Sequence, residues 1–274
     1  MNTRSFFSKA LLCSFLIAHC ALYAVSPAIG QELKRVDNRA FIPGEKFNFI
    51  VYYDSYLTGK VTAGTASLEI GFQKKEIEGR KVYHAMGKGK SKGAFNVFFK
   101  VDDYFESFID MEYMVPWYFI RRTREGDYKK DDEVRFNQFT GSASSRTISR
   151  SVPKGTQDFI SAFFYARTID LSGLKPGDFF PMSYFLDDSI YITRIYYEGK
   201  ETIKTVAGTF RCMKFKPTVA TGNVFSQPYA MSIWVTDDQY RIPVLAKSEV
   251  IVGAVKMELT QYQGLSGIPP ALMP

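Results

Sequence analysis

Hydrophobic and polar side chains alternate along much of the chain. Phe47, Phe49, Val51 and Tyr53 occupy every second position, and residues 66–72 repeat the pattern. A period of two places such residues on one face of a β-strand. The same reasoning predicts further strands at 80–87, 95–111, 117–125, 133–140, 145–152, 179–186, 189–198, 201–207, 210–217, 229–236, 242–252 and 254–263.

One segment has helical spacing instead. Its apolar residues lie at offsets of zero, three, four and seven, which is one face of a helix: Phe159, Ala162, Phe163 and Ala166. Thr156 and Asp158 are candidate N-cap residues, because a short side-chain oxygen can accept from free amides of the first turn. We predict one helix around 157–169, ended by glycine and proline.

Short strands joined by turns, with few helices, favour an all-β fold with minor α content. We predict a single strongly curved antiparallel sheet or open barrel, because many strands are accommodated by coiling or closing. Residues 45–263 would form this domain, after an extended lead-in at 31–44. The tail at 264–274, which contains two consecutive prolines, is expected to be loose.

The first thirty residues resemble a secretory signal. A basic start with Arg4 and Lys9 precedes an apolar run, and a small-x-small motif ends at Gly30. The apolar run is shorter than the roughly 20 residues of a membrane span. We therefore expect cleavage, export, most simply to the periplasm, and no membrane span afterwards; an uncleaved anchor is the alternative.

Removing this segment lowers the formal charge from +7 to +5 and leaves Cys212 and His84 as the single cysteine and histidine. Cysteine-rich scaffolds and multi-histidine metal sites are thereby excluded, and no cofactor or metal is predicted. The small positive charge gives no argument for a nucleic-acid partner. An aromatic share of 16% suits pleated, half-buried strands.

Three local features carry candidate chemistry. Gly89-Lys90-Ser91 matches the end of a phosphate-binding loop, but the glycine required five residues earlier is His84 and a strand pattern follows, so a solvated basic turn is preferred. His84 lies on an apolar strand face, where packing is commoner than catalysis. Cys212 shares a face with Phe210 and is expected to be buried.

Acidic residues recur at alternate positions of the strand predicted at 95–111. They could bind a hard cation or form an acid–base pair. The next strand carries Arg121, Arg122 and Arg124, so ion pairing between neighbouring strands is the simpler explanation. The residues of this carboxylate stripe are Asp102, Glu106, Asp110 and Glu112.

Three stretches together resemble the DUF3108 family of exported bacterial proteins. They are residues 91–107 followed by Pro116, the segment 158–167, and Ile233-Trp234-Val235-Thr236-Asp237-Asp238 with Arg241-Ile242-Pro243-Val244. The resemblance covers about residues 43–262. It implies an exported, β-rich protein, and it supplies no catalytic residues because the family has no established activity.

The residues of these stretches also have a structural interpretation. Trp234 would anchor a core, and Asp237 with Asp238 would occupy a turn. Arg241 would restart the next strand, while Arg167 would reach a sheet carboxylate such as Asp237 or Asp238. The same five residues are the candidate ligand-contacting residues, and the structural roles are preferred.

Three functions remain open. The first is a non-enzymatic periplasmic binding or carrier protein with an aromatic-lined apolar cavity. The second is a cell-envelope assembly factor that binds a protein partner through a sheet edge. The third is a hydrolase that uses the acidic residues at 102–112.

Overall fold

The computed structural model describes residues 32–56, 59–218, 231–250 and 253–274. The predicted signal segment therefore lies outside the described residues. The strands are β1 Lys46–Ser55, β2 Gly59–Ile70, β3 Lys75–Ile77, β4 Arg80–Ser91, β5 Asp102–Asp110, β6 Pro116–Glu125, β7 Tyr128–Asn137, β8 Ser142–Ser144, β9 Ser149–Ser151, β10 Phe179–Leu186, β11 Ser189–Thr205, β12 Gly208–Pro217, β13 Met231–Thr236, β14 Pro243–Glu249, β15 Ala254–Gln263 and β16 Leu272–Met273. The helices are α1 Gly93–Phe98 and α2 Phe159–Ala166.

All named strands of the described chain belong to one antiparallel sheet, which is not closed into a barrel. The strand order is β10-β11-β12-β13-β14-β15-β1-β2-β4-β5-β6-β7-β8-β9, with β3 beside β4 and β16 beside β12. Strands adjacent in sequence are mostly adjacent in the sheet. An exception is the pairing of β1 with β15, which brings an early strand beside a late one. The predicted all-β fold with a single large curved sheet is confirmed.

The sheet curves around α2. The segment that contains α2 connects β9 and β10, which are the two edge strands of the sheet. Gln157, just before α2, makes a parallel bridge to Tyr184 of β10. Its amide donates to the Ser183 carbonyl at 2.9 Å, and its carbonyl accepts from the Phe185 amide at 2.8 Å. The helix buries Ile160 and Phe164 among side chains from β2, β4–β8 and β10. A second core cluster joins β1, β12–β15 and the tail.

The strand predicted at 95–111 is instead α1 followed by β5. Gly93, with φ of +60°, breaks the extended backbone just after β4. Phe95 and Phe99 then lie one helical turn apart and pack against Ala63, Val51 and Tyr53. Phe95 and Phe99, whose even spacing predicts a strand, are therefore spaced as on a helix. The described chain has two helices rather than the one predicted.

Two other predictions need correction. The strands predicted at 189–198 and 201–207 form the single strand β11, which ends at Thr205, because the pairing with β12 continues past a bulge between Tyr197 and Gly199 rather than ending in a turn. The tail is not loose: Leu272–Met273 pairs with β12, and Ala271 is fully buried. No helix within the described ranges is long and apolar enough to cross a membrane.

Candidate functional site

The three stretches that carry the family resemblance meet at the two ends of α2. At its start, the Asp158 carboxylate accepts hydrogen bonds from the amides of Ile160 and Ser161, at 2.7 and 2.8 Å. Ser107 of β5 donates its hydroxyl to the same carboxylate at 2.5 Å. Complete burial raises the pKa of Asp158 to about 7, against these hydrogen bonds, which lower it. The predicted cap thus also joins the helix to the sheet.

Arg167 follows α2 and is almost completely buried. Its guanidinium makes a bidentate pair with Glu45, at 2.5 and 2.7 Å. It also donates to the carbonyl oxygens of Tyr240, at 2.8 Å, and Ala40, at 3.2 Å. The prediction of Asp237 or Asp238 as its partner is therefore wrong. A planar fork of donors suits this arrangement, because it holds the lead-in, β1 and the β13–β14 turn together.

Arg241 completes this junction from the opposite side. Its guanidinium donates to the carbonyl of Arg167 at 2.7 Å and to the carbonyl of Ile169. These carbonyls lie at the end of α2, where a cation interacts favourably with the exposed acceptors. The two arginines therefore fix the helix end to the sheet through reciprocal contacts, and we call this group the helix junction.

The remaining predicted residues lie in the adjacent turn. Asp238 accepts from the Thr236 hydroxyl at 2.7 Å and from the amide of Ala271 at 3.1 Å. Asp237 pairs with Lys200 at 2.7 Å. Trp234 is buried and donates its indole N–H to Glu201 at 2.7 Å. These contacts give each of the three side chains a partner within the protein.

The predicted carboxylate stripe has three basic partners, one of which is shared by two of its members. Asp102 is exposed and lies 3.9 Å from Lys90, whereas Glu106 contacts His84. Asp110 is fully buried and accepts from the Trp117 indole at 2.8 Å. Asp110 and Glu112 both pair with Arg80 of β4, at 2.8 Å each.

The arginines of β6 do not pair with this stripe, contrary to the prediction. Their carboxylate partners lie on β7, which is the other sheet neighbour of β6, and in the β10–β11 turn. The pairs are Arg121 with Asp187, Arg122 with Glu133 and Arg124 with Asp131. Only Asp110 and Glu112 of the stripe meet, and both are paired with the Arg80 guanidinium, so nothing in this geometry favours acid–base catalysis there.

Two further features of the sequence lie within strands of the sheet. Gly89-Lys90-Ser91 lies within β4 and not in a turn, and the helix after it begins only at Gly93. Cys212 is buried as predicted, and burial raises the pKa of its thiol to about 12. Across the described residues, no group of three or more histidine, cysteine or acidic side chains could hold a metal ion.

A small cleft lies beside the helix junction. The space inside it that a ligand could occupy is about 10 Å³, and it is lined in part by Phe41, Glu45, Tyr240 and Leu265. Ligand pockets usually enclose about 300–1,000 Å³. The cleft is therefore too small for the cavity that a carrier protein would need.

A half-covered apolar surface lies on the same sheet face as the core residues Phe47 and Phe49. Directly opposed residues of β13, β14, β15 and β1 form two rows across this face. All of its members are only partly buried, whereas Phe47 and Phe49 are enclosed. We call it the apolar patch, and its members are Val51, Tyr53, Ile233, Ala246, Val255 and Met257.

Ser248 lies within this patch, opposite Val255. Its hydroxyl oxygen is enclosed and has no hydrogen-bond partner among the described residues. Leaving a buried hydroxyl unpaired costs about 1–3 kcal/mol. Phe95 and Phe99 pack against Val51 and Tyr53, so α1 forms one wall of the patch. Sequence reasoning missed this surface because it depends on the register of four strands.

Comparison with known proteins identifies a family and a fold. A family model described as a protein of unknown function, DUF3108, matches residues 48–260. A β-barrel-like protein of the domain of unknown function DUF1849 from Brucella abortus has a TM-score of 0.53 at 9% identity, over 82% of this chain and 98% of that one. A protein from Bacteroides fragilis described as exported, with a YmcC-like fold, has a TM-score of 0.40 at 11% identity, over 83% and 99%. No curated protein matches the chain.

Proposed function

The chain belongs to the DUF3108 family of proteins of unknown function, and we propose that it is an exported, non-enzymatic protein that binds an apolar ligand on the apolar patch. Export, with the periplasm as destination, is supported by the basic and apolar N-terminal pattern. The binding role rests on one observation: six partly buried apolar side chains lie in two rows across four adjacent strands.

The packing of the interior restricts where a ligand can bind. The region around α2 is packed with side chains, so a ligand would lie on the half-covered part of the curved sheet and not beneath the helix. Apolar contacts would supply most of the affinity. A single-chain lipid or another elongated apolar molecule fits this combination.

The two alternative functions have less support. Of the two sheet edges, β10 carries Pro181, which has no amide to donate, and Gln157 already pairs with its last residues. The other edge, β9, is three residues long. The stripe carboxylates proposed for a hydrolase already have partners: Lys90 for Asp102, His84 for Glu106, and Arg80 for both Asp110 and Glu112.

The uncharged fluorescent probe N-phenyl-1-naphthylamine tests the proposal. The wild-type protein should bind it saturably, and Met257→Lys and Ala246→Trp should each weaken binding at least tenfold by charging or filling the patch. Val206→Lys, at an exposed β11–β12 turn, is the matched control and should bind as the wild type does.

Urea denaturation shows whether each variant is folded at the assay temperature. Folded variants that retain full probe affinity would refute the proposal, and so would a wild-type protein that does not bind the probe. Equal loss in Val206→Lys would place binding elsewhere and would also contradict it.

A further inference from the structure

The apolar patch is longer across the strands than along them. Its first row consists of directly opposed residues on β13, β14, β15 and β1, which are Ile233, Ala246, Met257 and Val51. Neighbouring strands lie about 4.8 Å apart, so these four positions span about 14 Å, whereas the second row, two residues further along the strands, adds only about 7 Å of width. The patch is therefore a trough whose long axis crosses the strands.

One end of the trough is closed by β10 and by the segment that precedes it. Phe215 of β12 is the next residue of the row, opposite Ile233, but it is only 6% exposed. Its ring contacts those of Phe180 and Tyr197, with centroids 6.2 and 5.5 Å away. Leu171, from the segment after α2, is buried in the same cluster. Beyond Ile233 the row therefore continues into a packed cluster, which leaves no room for a ligand.

The other end is closed by α1. Phe95 and Phe99 of this helix are buried, and they pack against Val51, the last open residue of the row. The amide of Lys92, just before the helix, donates to the carbonyl of Ala63 on β2 at 2.9 Å. Since α1 is thus attached to the neighbouring strand, a ligand chain cannot extend past Val51 without displacing the helix.

We propose that the trough selects ligands with an unbranched apolar chain of about ten to twelve carbons. An extended chain of that length spans about 14 Å, which is the distance that the four strands provide between the two walls. Each methylene group that lies in the trough is removed from water, whereas the excess of a longer chain turns out into the solvent and adds no affinity. This selectivity rests on the proposed function, because it describes which ligands fit the same surface.

Competition of 1-alkanols with bound N-phenyl-1-naphthylamine tests the selection. In the wild-type protein, affinity should rise about fourfold for each methylene group added between octanol and dodecanol, because each added group leaves water. Tetradecanol, whose chain exceeds the trough, should bind within about threefold of dodecanol. A larger gain from dodecanol to tetradecanol, or no gain from octanol to dodecanol, would overturn the proposal.

Filling one end of the trough should shorten the preferred chain. Ile233→Trp places a larger side chain on the last open strand, so octanol should bind as it does to the wild type while the gain from decanol to dodecanol disappears. Ile192→Trp is the matched control, because Ile192 is 57% exposed on β11 and lies outside the row. It should retain the wild-type series. An unchanged series in an Ile233→Trp variant that urea denaturation shows to be folded would contradict the proposal.

The outcomes separate the selection from the proposed function. If neither the probe nor any alkanol binds the wild-type protein, the ligand-binding function is refuted and the selection with it. If all the alkanols bind and affinity rises without a break at dodecanol, only the selection is refuted and the proposed function stays supported.

Discussion

Asp110 shows how one enclosed side chain of the carboxylate stripe is held in its ionised form. Burial opposes ionisation, but Arg80, the Trp117 indole and the amides of Glu112 and Tyr113 outweigh it and lower the pKa of Asp110. This group therefore contributes stability above its unfolded pKa, and the contribution is lost as the pH falls through its folded value. Partners within the protein therefore account for the ionised state of Asp110, and no ligand is needed to explain it.

We expect Asp110→Asn to lower the free energy of unfolding by about 2–4 kcal/mol, because Arg80 loses a charged partner at a fully buried position. Urea denaturation at pH 7 measures the change. The matched variant Asp102→Asn removes a largely exposed carboxylate and should cost less than about 0.5 kcal/mol. Similar losses in the two variants would contradict this explanation.

Asp158 has the opposite pH dependence. Because its folded pKa, about 7, is above the unfolded value, the folded state holds a proton that the unfolded state releases first. Its contribution is complete below the unfolded pKa and is lost as the pH rises toward 7. Comparison of urea stability at pH 5 and pH 7 should show a loss in the wild type that Asp158→Asn lacks. Equal pH dependence in both proteins would disprove this assignment.

At the level of elements, α2 is held at its two ends and pressed against the sheet in between. Gly87 of β4 allows this approach, since a Cβ there would be 2.9 Å from Cδ1 of Ile160. Two residues along the same strand, an added Cβ at Gly89 would have only the Asp103 Cβ near it, at 4.0 Å. The two glycines therefore offer a matched comparison.

Gly87→Ala should lower the free energy of unfolding by about 1 kcal/mol, because the new methyl group forces Cδ1 of the buried Ile160 to move. Gly89→Ala should be within about 0.5 kcal/mol of the wild type. Thermal and urea denaturation of both variants provide the measurement. A greater loss at Gly89 than at Gly87 would show that α2 does not pack as described.

The helix junction makes a second prediction at this scale. Arg167→Met leaves Glu45 buried without its partner and should cost about 3–5 kcal/mol. The double variant Arg167→Met with Glu45→Met removes both charges and should recover at least half of that loss. A double-mutant cycle measured by urea denaturation gives the coupling. Additive losses would mean that the pair is not coupled.

These elements also show what the sequence could and could not reveal. Local spacing was enough to predict α2 and its candidate cap Asp158, since both depend on residues close in the chain. The partner of Arg167 was missed because Asp237 and Asp238 are engaged elsewhere, while Glu45 is 122 positions away. Phe95 and Phe99 are four positions apart, which places them on one face of either a strand or a helix. Only tertiary packing therefore distinguishes α1 from a strand.

For the whole molecule, alternating residues correctly predicted one large antiparallel sheet. They could not predict the apolar patch, because a bulge between Asn48 and Phe49 and another between Trp234 and Val235 set which residues share a face. The preferred structural roles of Arg167 and Arg241 fit the helix junction. The ligand-binding surface proposed here lies outside every residue singled out from the sequence as a candidate site.

The central claim is that an apolar ligand occupies the apolar patch, and methyl NMR during titration with dodecanol tests it most directly. The methyl groups of Val51 and Met257 should shift together and saturate, while those of Met182, buried in β10, and Val206 remain unchanged. If Val51 and Met257 do not shift, or if dodecanol perturbs Val206 equally, the proposed binding surface is wrong.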